Sequence, residues 1–224
     1  MAKVFLSAGH GGYDPGACAN GLVEKTINLN TLLACKSELE RHGVIVITSR
    51  TTDADDPVGE EVREANASGA DIAASFHANA GGGDGWEGFY WASCADGKRL
   101  AQLCEKHVKA LGQNSRGVKS GNHLMFINST NMPAVLVESF FLDNATDKAI
   151  GDTVDEQKAF GVAYAKAILE YFGIAYKVQE AAKPAAASGK LYRVQVGAFS
   201  VKENAEKLAA ELQAKGYSTI IKAE

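Results

Sequence analysis

Residues 3–8, Lys-Val-Phe-Leu-Ser-Ala, form a short apolar run that breaks at Gly9, and residues 44–48, Val-Ile-Val-Ile-Thr, repeat the pattern. Runs with no polar alternation read as strands buried on both faces of a parallel sheet. Between them Leu29, Leu32, Leu33 and Leu39 recur at helical spacing, and the segment stops at His42-Gly43, a helix C-terminus signal. Strand, helix and strand in that order make a βαβ unit, so the fold class is α/β. The pattern then predicts a polar helix over 60–68, a strand over 72–77 and a hairpin-like aromatic stretch over 88–92. A helix over 99–111, strands near 124–127 and 134–137, and a closing helix over about 155–171 follow. Residues 1–176 thus read as one α/β domain of five or six strands.

The pattern changes at 177–189, where Glu-Ala-Ala-Lys-Pro-Ala-Ala-Ala-Ser-Gly has no apolar period and reads as a linker. Beyond it, 191–199 alternates as a strand. Residues 202–215 form an amphipathic helix with Ala205, Leu208, Ala209 and Leu212 on one face, and 217–221 alternates again. Residues 190–224 are therefore expected to form a small βαβ module. At about 35 residues it is shorter than the ~40 that usually sustain an independent core.

Composition narrows the function classes. The chain has 224 residues, 46% apolar and 22% charged, which is globular rather than disordered. No stretch approaches the ~20 apolar residues that span a bilayer, and Met-Ala-Lys-Val-Phe-Leu-Ser at the start lacks the apolar core of a leader, so synthesis in the cytoplasm without a signal peptide is expected. A net charge of -4 argues against a nucleic-acid partner. That charge is unevenly divided: from Lys177 onward eight Lys or Arg face five Asp or Glu, leaving the tail at +3 and the front at -7. Cys18, Cys35, Cys94 and Cys104 have no C-x-x-C spacing and read as reduced thiols.

Two histidines stand at predicted strand ends, His10 in Ser7-Ala8-Gly9-His10-Gly11-Gly12 and His77 in Ser75-Phe76-His77-Ala78-Asn79-Ala80. Open α/β sheets place ligands at the carboxyl ends of their strands. Glu24 opens the helix returning from the first strand, at the same edge, and Glu138 ends the strand over 134–137. Two histidines and one carboxylate suit a catalytic zinc, which lowers the pKa of water and polarises a carbonyl. Glu138 would then serve as general base. Each residue also has a plainer reading: a loop or core histidine, a helix N-terminal acid answering the macrodipole, a surface carboxylate. His42 is expected to cap helix carbonyls and His107 to pack on its helix. His123 is a candidate for the groove near Met125, and Trp86, Tyr90 and Trp91 read as core or rim.

Gly9-His10-Gly11-Gly12 with Asp14 and Gly16-Ala17, Glu24-Lys25 with Asn28-Leu29, Ser75 to Ala80, and Pro133 to Glu138 with Phe141-Leu142 and Asn144 occur in order. This set, with Thr48 to Arg50, Arg63, Asn66 and Asp71, closely resembles the zinc-dependent N-acetylmuramoyl-L-alanine amidases of the third amidase type, over residues 1 to about 173. The resemblance implies a mixed, mainly parallel six-stranded sheet flanked by helices, with the site at one sheet edge. It implies one zinc ion per chain on His10, Glu24 and His77, and Glu138 as catalytic acid/base. The implied substrate is bacterial peptidoglycan, cut between N-acetylmuramic acid and the L-alanine of the stem peptide by a phage endolysin or an autolysin released to the wall. Ser139-Phe140 departs from the glycine and aromatic residue that many members carry, a change beside Glu138 that bears on the groove. Cys18 is read as a bystander.

Leu191 to Ser200, Ala205 to Leu212 and Gly216-Tyr217 resemble the first half of the sporulation-related (SPOR) repeat that binds peptidoglycan. A lone βαβ half leaves strand edges unpaired, so a homodimer joined through residues 190–224 is expected. Two rival readings stand beside this one. Gly83-Asp84-Gly85-Trp86-Glu87-Gly88 spells G-x-G-x-x-G, but a strand rather than a helix is predicted after it, against a dinucleotide site. A non-catalytic wall-binding protein with the amidase fold is the alternative reading, opposed by the presence of all four site residues.

Overall fold

The computed structural model describes residues 1–178, 195–214 and 219–222, in two compact units, Met1–Lys177 and Val178–Glu224. In the first unit the chain runs β1 (Lys3–Ala8), β2 (Cys18–Ala19), β3 (Leu22–Val23), α1 (Glu24–Arg41), β4 (Ile45–Thr48), α2 (Val58–Ser68), β5 (Ile72–Asn79) and β6 (Trp86–Tyr90). It continues through α3 (Ala95–Lys109), β7 (Ser115–Ser120), α4 (Met125–Ser129), β8 (Ala134–Phe141), α5 (Ala145–Lys148) and α6 (Val154–Tyr171). Six strands form one sheet in the order β4-β1-β5-β8-β6-β7. The strands β4, β1, β5 and β8 are parallel, β6 runs antiparallel to β8, and β7 is parallel to β6. The mixed sheet agrees with the expected fold class.

The three central strands are the apolar runs of the sequence, and burial on both faces explains why they lack alternation. One face packs against α1, α3 and α6 through Leu6, Phe76, Val137, Leu32, Leu100 and Phe160. The other packs against α2 and α4 through Phe5, Leu136, Val62, Phe126 and Ile127. Helices α1 and α6 cross closely at Gly161, where a Cβ would lie 2.3 Å from the Thr31 carbonyl oxygen. Along β8 the only position not fully buried is Glu138, and in β5 the first is His77. The chain leaves β1 toward β4 on one side and later places β5 on the other. The carboxyl ends of β1 and β5 therefore flank a reversal of strand order, where such sheets bind ligands.

Three expectations are corrected. Residues 124–127 are not a strand: Met125–Ser129 is a short helix, because Phe126 and Ile127, adjacent in sequence, both bury against one face, which a strand's alternation forbids. The aromatic stretch is a single strand, Trp86–Tyr90, lying between β8 and β7 rather than a hairpin. The sixth strand, Ser115–Ser120, has no sequence signature, since an edge strand reading Ser-Arg-Gly-Val-Lys-Ser shows no apolar run.

The loop after β5 is latched to the turn after β8. Asp147 is fully buried and accepts from the backbone N–H of Gly85 at 2.8 Å and Phe141 at 2.7 Å and from Gln113 Nε2 at 3.1 Å. Asp143 accepts from the N–H groups of Gly81 and Gly82. Asp147→Ala strands two buried N–H groups, each worth about 1–3 kcal/mol. A loss of roughly 3 kcal/mol in urea unfolding is expected, against little change for Asp143→Ala on the exposed rim.

In the second unit the described element is α7 (Lys202–Ala214), and its less exposed face is Ala205, Leu208, Ala209 and Leu212, as the amphipathic pattern predicts. The flanking strands of the expected βαβ module are absent among the described residues, since 195–200 and 219–222 carry no ladder; 179–194 and 215–218, including most of the expected linker, lie outside them. The homodimer through residues 190–224 relied on those strand edges and gains no support.

Candidate active site

Backbone conformation places the first histidine. His10 has φ +65, a left-handed value unusual for a non-glycine residue, and Gly11, Gly12 and Gly16 also have positive φ. Such strain persists only where surroundings enforce it. Here Arg50 donates to the carbonyl oxygens of Ala8 and Lys25, both at 2.9 Å, tying the end of β1 to the start of α1. Asn28 Nδ2 donates to the Gly9 carbonyl oxygen at 2.9 Å, and Asp53 and Asp55 accept from the N–H groups of Gly12 and Tyr13. Gly9 must lack a side chain, because a Cβ there would lie 2.0 Å from the His77 ring.

The turn so fixed brings His10, Glu24 and His77 together, with one candidate ligand atom from each lying within 4.8 Å of the others. Glu24 Oε1 stands 3.2 Å from His10 Nε2 and 3.0 Å from His77 Nδ1, while its Oε2 accepts from the Ala17 N–H at 2.8 Å. The imidazoles meet edge to face at 5.2 Å between centroids. Asp14 Oδ2 lies 2.7 Å from His10 Nδ1, leaving Nε2 as the atom turned to the cluster. A carboxylate behind a histidine is the usual means of orienting a metal-ligating ring.

Electrostatics follow from this packing. The Glu24 hydrogen bond raises His10 to about 9 against burial, with Asp14 adding to the rise. Burial opposes charge on Glu24, but hydrogen bonds from His10 and His77 override it and hold the carboxyl well below its ordinary value. Burial likewise opposes charge on His77, yet Glu24 and Glu138 raise it. A metal displaces protons from such imidazoles on binding.

Glu138 is directly opposite His77 in the parallel pairing of β5 and β8, so both side chains leave the same face. Its Oε2 is buried with no hydrogen-bond partner among the described residues. Burial pushes its carboxyl up to about 7, with His77 pulling down and Glu24 and Glu87 pushing up. The four residues singled out by sequence therefore converge on one edge of the sheet.

Residues 4–170 match the N-acetylmuramoyl-L-alanine amidase family. The chain belongs to that family. A sporulation-specific N-acetylmuramoyl-L-alanine amidase of Bacillus subtilis (strain 168) is 35% identical over 99% of this chain and 84% of that protein. An endolysin of Bacillus phage SPP1 is 39% identical over 67% of this chain and 59% of its own length. The catalytic domain of CwlV, an N-acetylmuramoyl-L-alanine amidase from Bacillus (Paenibacillus) polymyxa var. colistinus, superposes with a TM-score of 0.72 at 32% identity, covering 78% of this chain and all of that one. Residues 188–224 match the SPOR domain. The protein is thus an N-acetylmuramoyl-L-alanine amidase that hydrolyses peptidoglycan and carries a SPOR domain.

The other sequence candidates stay outside the amidase cluster. His42 Nδ1 lies 2.7 Å from the Glu38 carbonyl oxygen, as expected of a capping residue, and stacks on Tyr176. His107 pairs with Glu170 at 2.7 Å, and His123 is exposed with its ring edge on Phe89 at 6.2 Å. Trp86 is fully buried and donates to the Tyr164 hydroxyl at 3.0 Å, whereas Trp91 is exposed at the rim. Cys18 is exposed and contributes no ligand atom to the cluster. Ser139 and Phe140 are buried on the helix side of the sheet, where Ser139 Oγ meets Tyr164 OH at 2.9 Å and Phe140 stacks on Phe160. The G-x-G-x-x-G run leads into β6, with no helix to meet a pyrophosphate. Asp14 and Arg50 carry no sequence signal beyond their place in the motifs, because their partners lie in segments that only the fold brings together.

Proposed function

We propose that His10, Glu24 and His77 hold one zinc ion and that Glu138 is the general acid/base that cleaves the amide between the lactyl group of N-acetylmuramic acid and L-alanine. The carrying observation is the convergence of three donor atoms within 4.8 Å, with Glu138 directly across from His77. Two imidazole nitrogens and one carboxylate oxygen fit zinc, whereas magnesium and calcium take oxygen donors. When bound, zinc supplies a Lewis acid that polarises the carbonyl and lowers the pKa of water toward neutrality.

The chain's own residues do the rest. Asp14 keeps His10 Nδ1 occupied and its ring oriented. Glu138 Oε2, buried and unpartnered among the described residues, takes a proton from the attacking water as the water oxygen bonds to the lactyl carbonyl carbon. It then passes that proton to the alanyl nitrogen as the carbon–nitrogen bond breaks. The low-polarity setting that raises Glu138 lets one carboxyl group serve in both directions. The SPOR domain supports anchoring on the wall that the first unit cuts.

Mass spectrometry of products from defined muropeptides tests this reading. Free stem peptides beginning with L-alanine are expected, with activity abolished by a chelator and restored by zinc. Products cut elsewhere, or activity indifferent to chelation, overturn it. A non-catalytic wall-binding protein would sediment with walls and release nothing.

A further inference from the structure

Beyond Glu138 the sheet carries charge that the hydrolytic step leaves unused. Glu87 on β6 stands opposite Glu138 in the antiparallel pairing, as His77 does on the other side, so all three side chains leave one face. Glu87 is buried, and its Oε1 accepts from Lys119 Nζ at 2.9 Å and from the Arg116 guanidinium, both on β7. Arg116 also lies over the Phe141 ring, 5.3 Å from its centroid. Two cations around one carboxylate leave a positive charge in excess. The Arg116 and Lys119 side chains remain 43% and 39% exposed while that of Glu87 is at 8%, so Glu87 anchors two cations whose outer faces meet solvent.

The chemistry of the substrate selects the occupant. In an N-acetylmuramoyl-L-alanine amide the sugar amine is acetylated and the lactyl carboxyl is consumed by the bond to be cut. Fixed negative charge therefore begins on the peptide beyond the alanine. Adjacent strands lie about 4.8 Å apart, which puts β7 roughly 10 Å from β8, and an extended peptide advances about 3.4 Å per residue. A carboxylate within about three residues of the scissile amide spans that distance. We infer that Arg116 and Lys119, held by Glu87, bind a carboxylate of the stem peptide, so that the peptide lies toward β7 and the sugar on the opposite side of Glu138. The fork of Arg116 suits a carboxylate better than a point charge does. This inference rests on the site assignment proposed above.

The test uses the zinc-loaded full chain and two N-acetylmuramoyl-L-alanyl tripeptides of equal length, one with free carboxylates beyond the alanine and one with them amidated. Wild type is expected to favour the acid by about tenfold or more in kcat/KM, the scale of one charge-assisted contact, with the ratio shrinking as salt rises. R116Q/K119Q is expected to bring the ratio within about twofold, and R116K, which keeps the charge, to retain most of it. Each single Gln variant leaves Glu87 one partner and is expected to give an intermediate ratio even if the double variant fails to fold. K106Q, which removes a surface pair with Glu170, is expected to keep the wild-type ratio. Equal cleavage of both compounds by wild type, or an unchanged ratio in the Gln variants, overturns the inference. Failure of zinc-loaded wild type to cut either compound overturns the site assignment itself, and this inference with it.

Discussion

Glu138→Gln is expected to retain zinc at one ion per chain while losing 10²-fold or more of its hydrolytic rate. The amide has the shape of the carboxylate but takes up no proton from water at neutral pH. Among the described residues Glu138 Oε2 makes no hydrogen bond that the substitution would break. Metal content by mass spectrometry and initial rates on a defined muropeptide decide the matter. A near wild-type rate removes Glu138 from the chemistry, whereas loss of zinc together with activity places it in the metal site.

His10→Ala, Glu24→Ala and His77→Ala are each expected to lose both zinc and activity, because a three-donor site short of one ligand fails to hold the ion against a chelator. Glu24→Ala is the most damaging of the three. Its carboxylate touches both imidazoles and accepts from the Ala17 N–H, so its removal loosens the loop as well as the cluster. Asp14→Ala acts through His10 and is expected to cost about 10- to 100-fold in metal affinity, a second-shell magnitude. Competition with a chromophoric chelator separates these cases. Wild-type affinity in any of the three alanine variants of the ligands sinks the ligand set.

Much of this molecule was legible in the sequence where burial leaves a continuous mark. β1, β5 and β8 are buried on both faces, so their apolar runs announce them, and the histidines and glutamate that interrupt or end those runs mark the site. Glu24 was legible through its position at the helix start. β7 was not, because an edge strand pairs on one side only and needs few apolar residues. Without β7, Arg116 and Lys119 had no place in the sheet, and the charged row from His77 to Glu87 stayed hidden. The short helix at Met125–Ser129 reads as a strand in the sequence because four consecutive apolar residues carry no period that tells helix from strand. Arg50 and Asp147 hold loops from many residues away, and nothing local in their sequence says which carbonyl or N–H they meet.

The proposed hydrolysis requires a metal on His10, Glu24 and His77, where β1, α1 and β5 meet. Zinc-edge anomalous diffraction from crystals of the zinc-loaded protein tests it most directly. One peak per chain is expected, at about 2.0–2.2 Å from a nitrogen of His10, a nitrogen of His77 and an oxygen of Glu24. A peak on other residues, or none in crystals of a protein whose solution activity is intact, contradicts it.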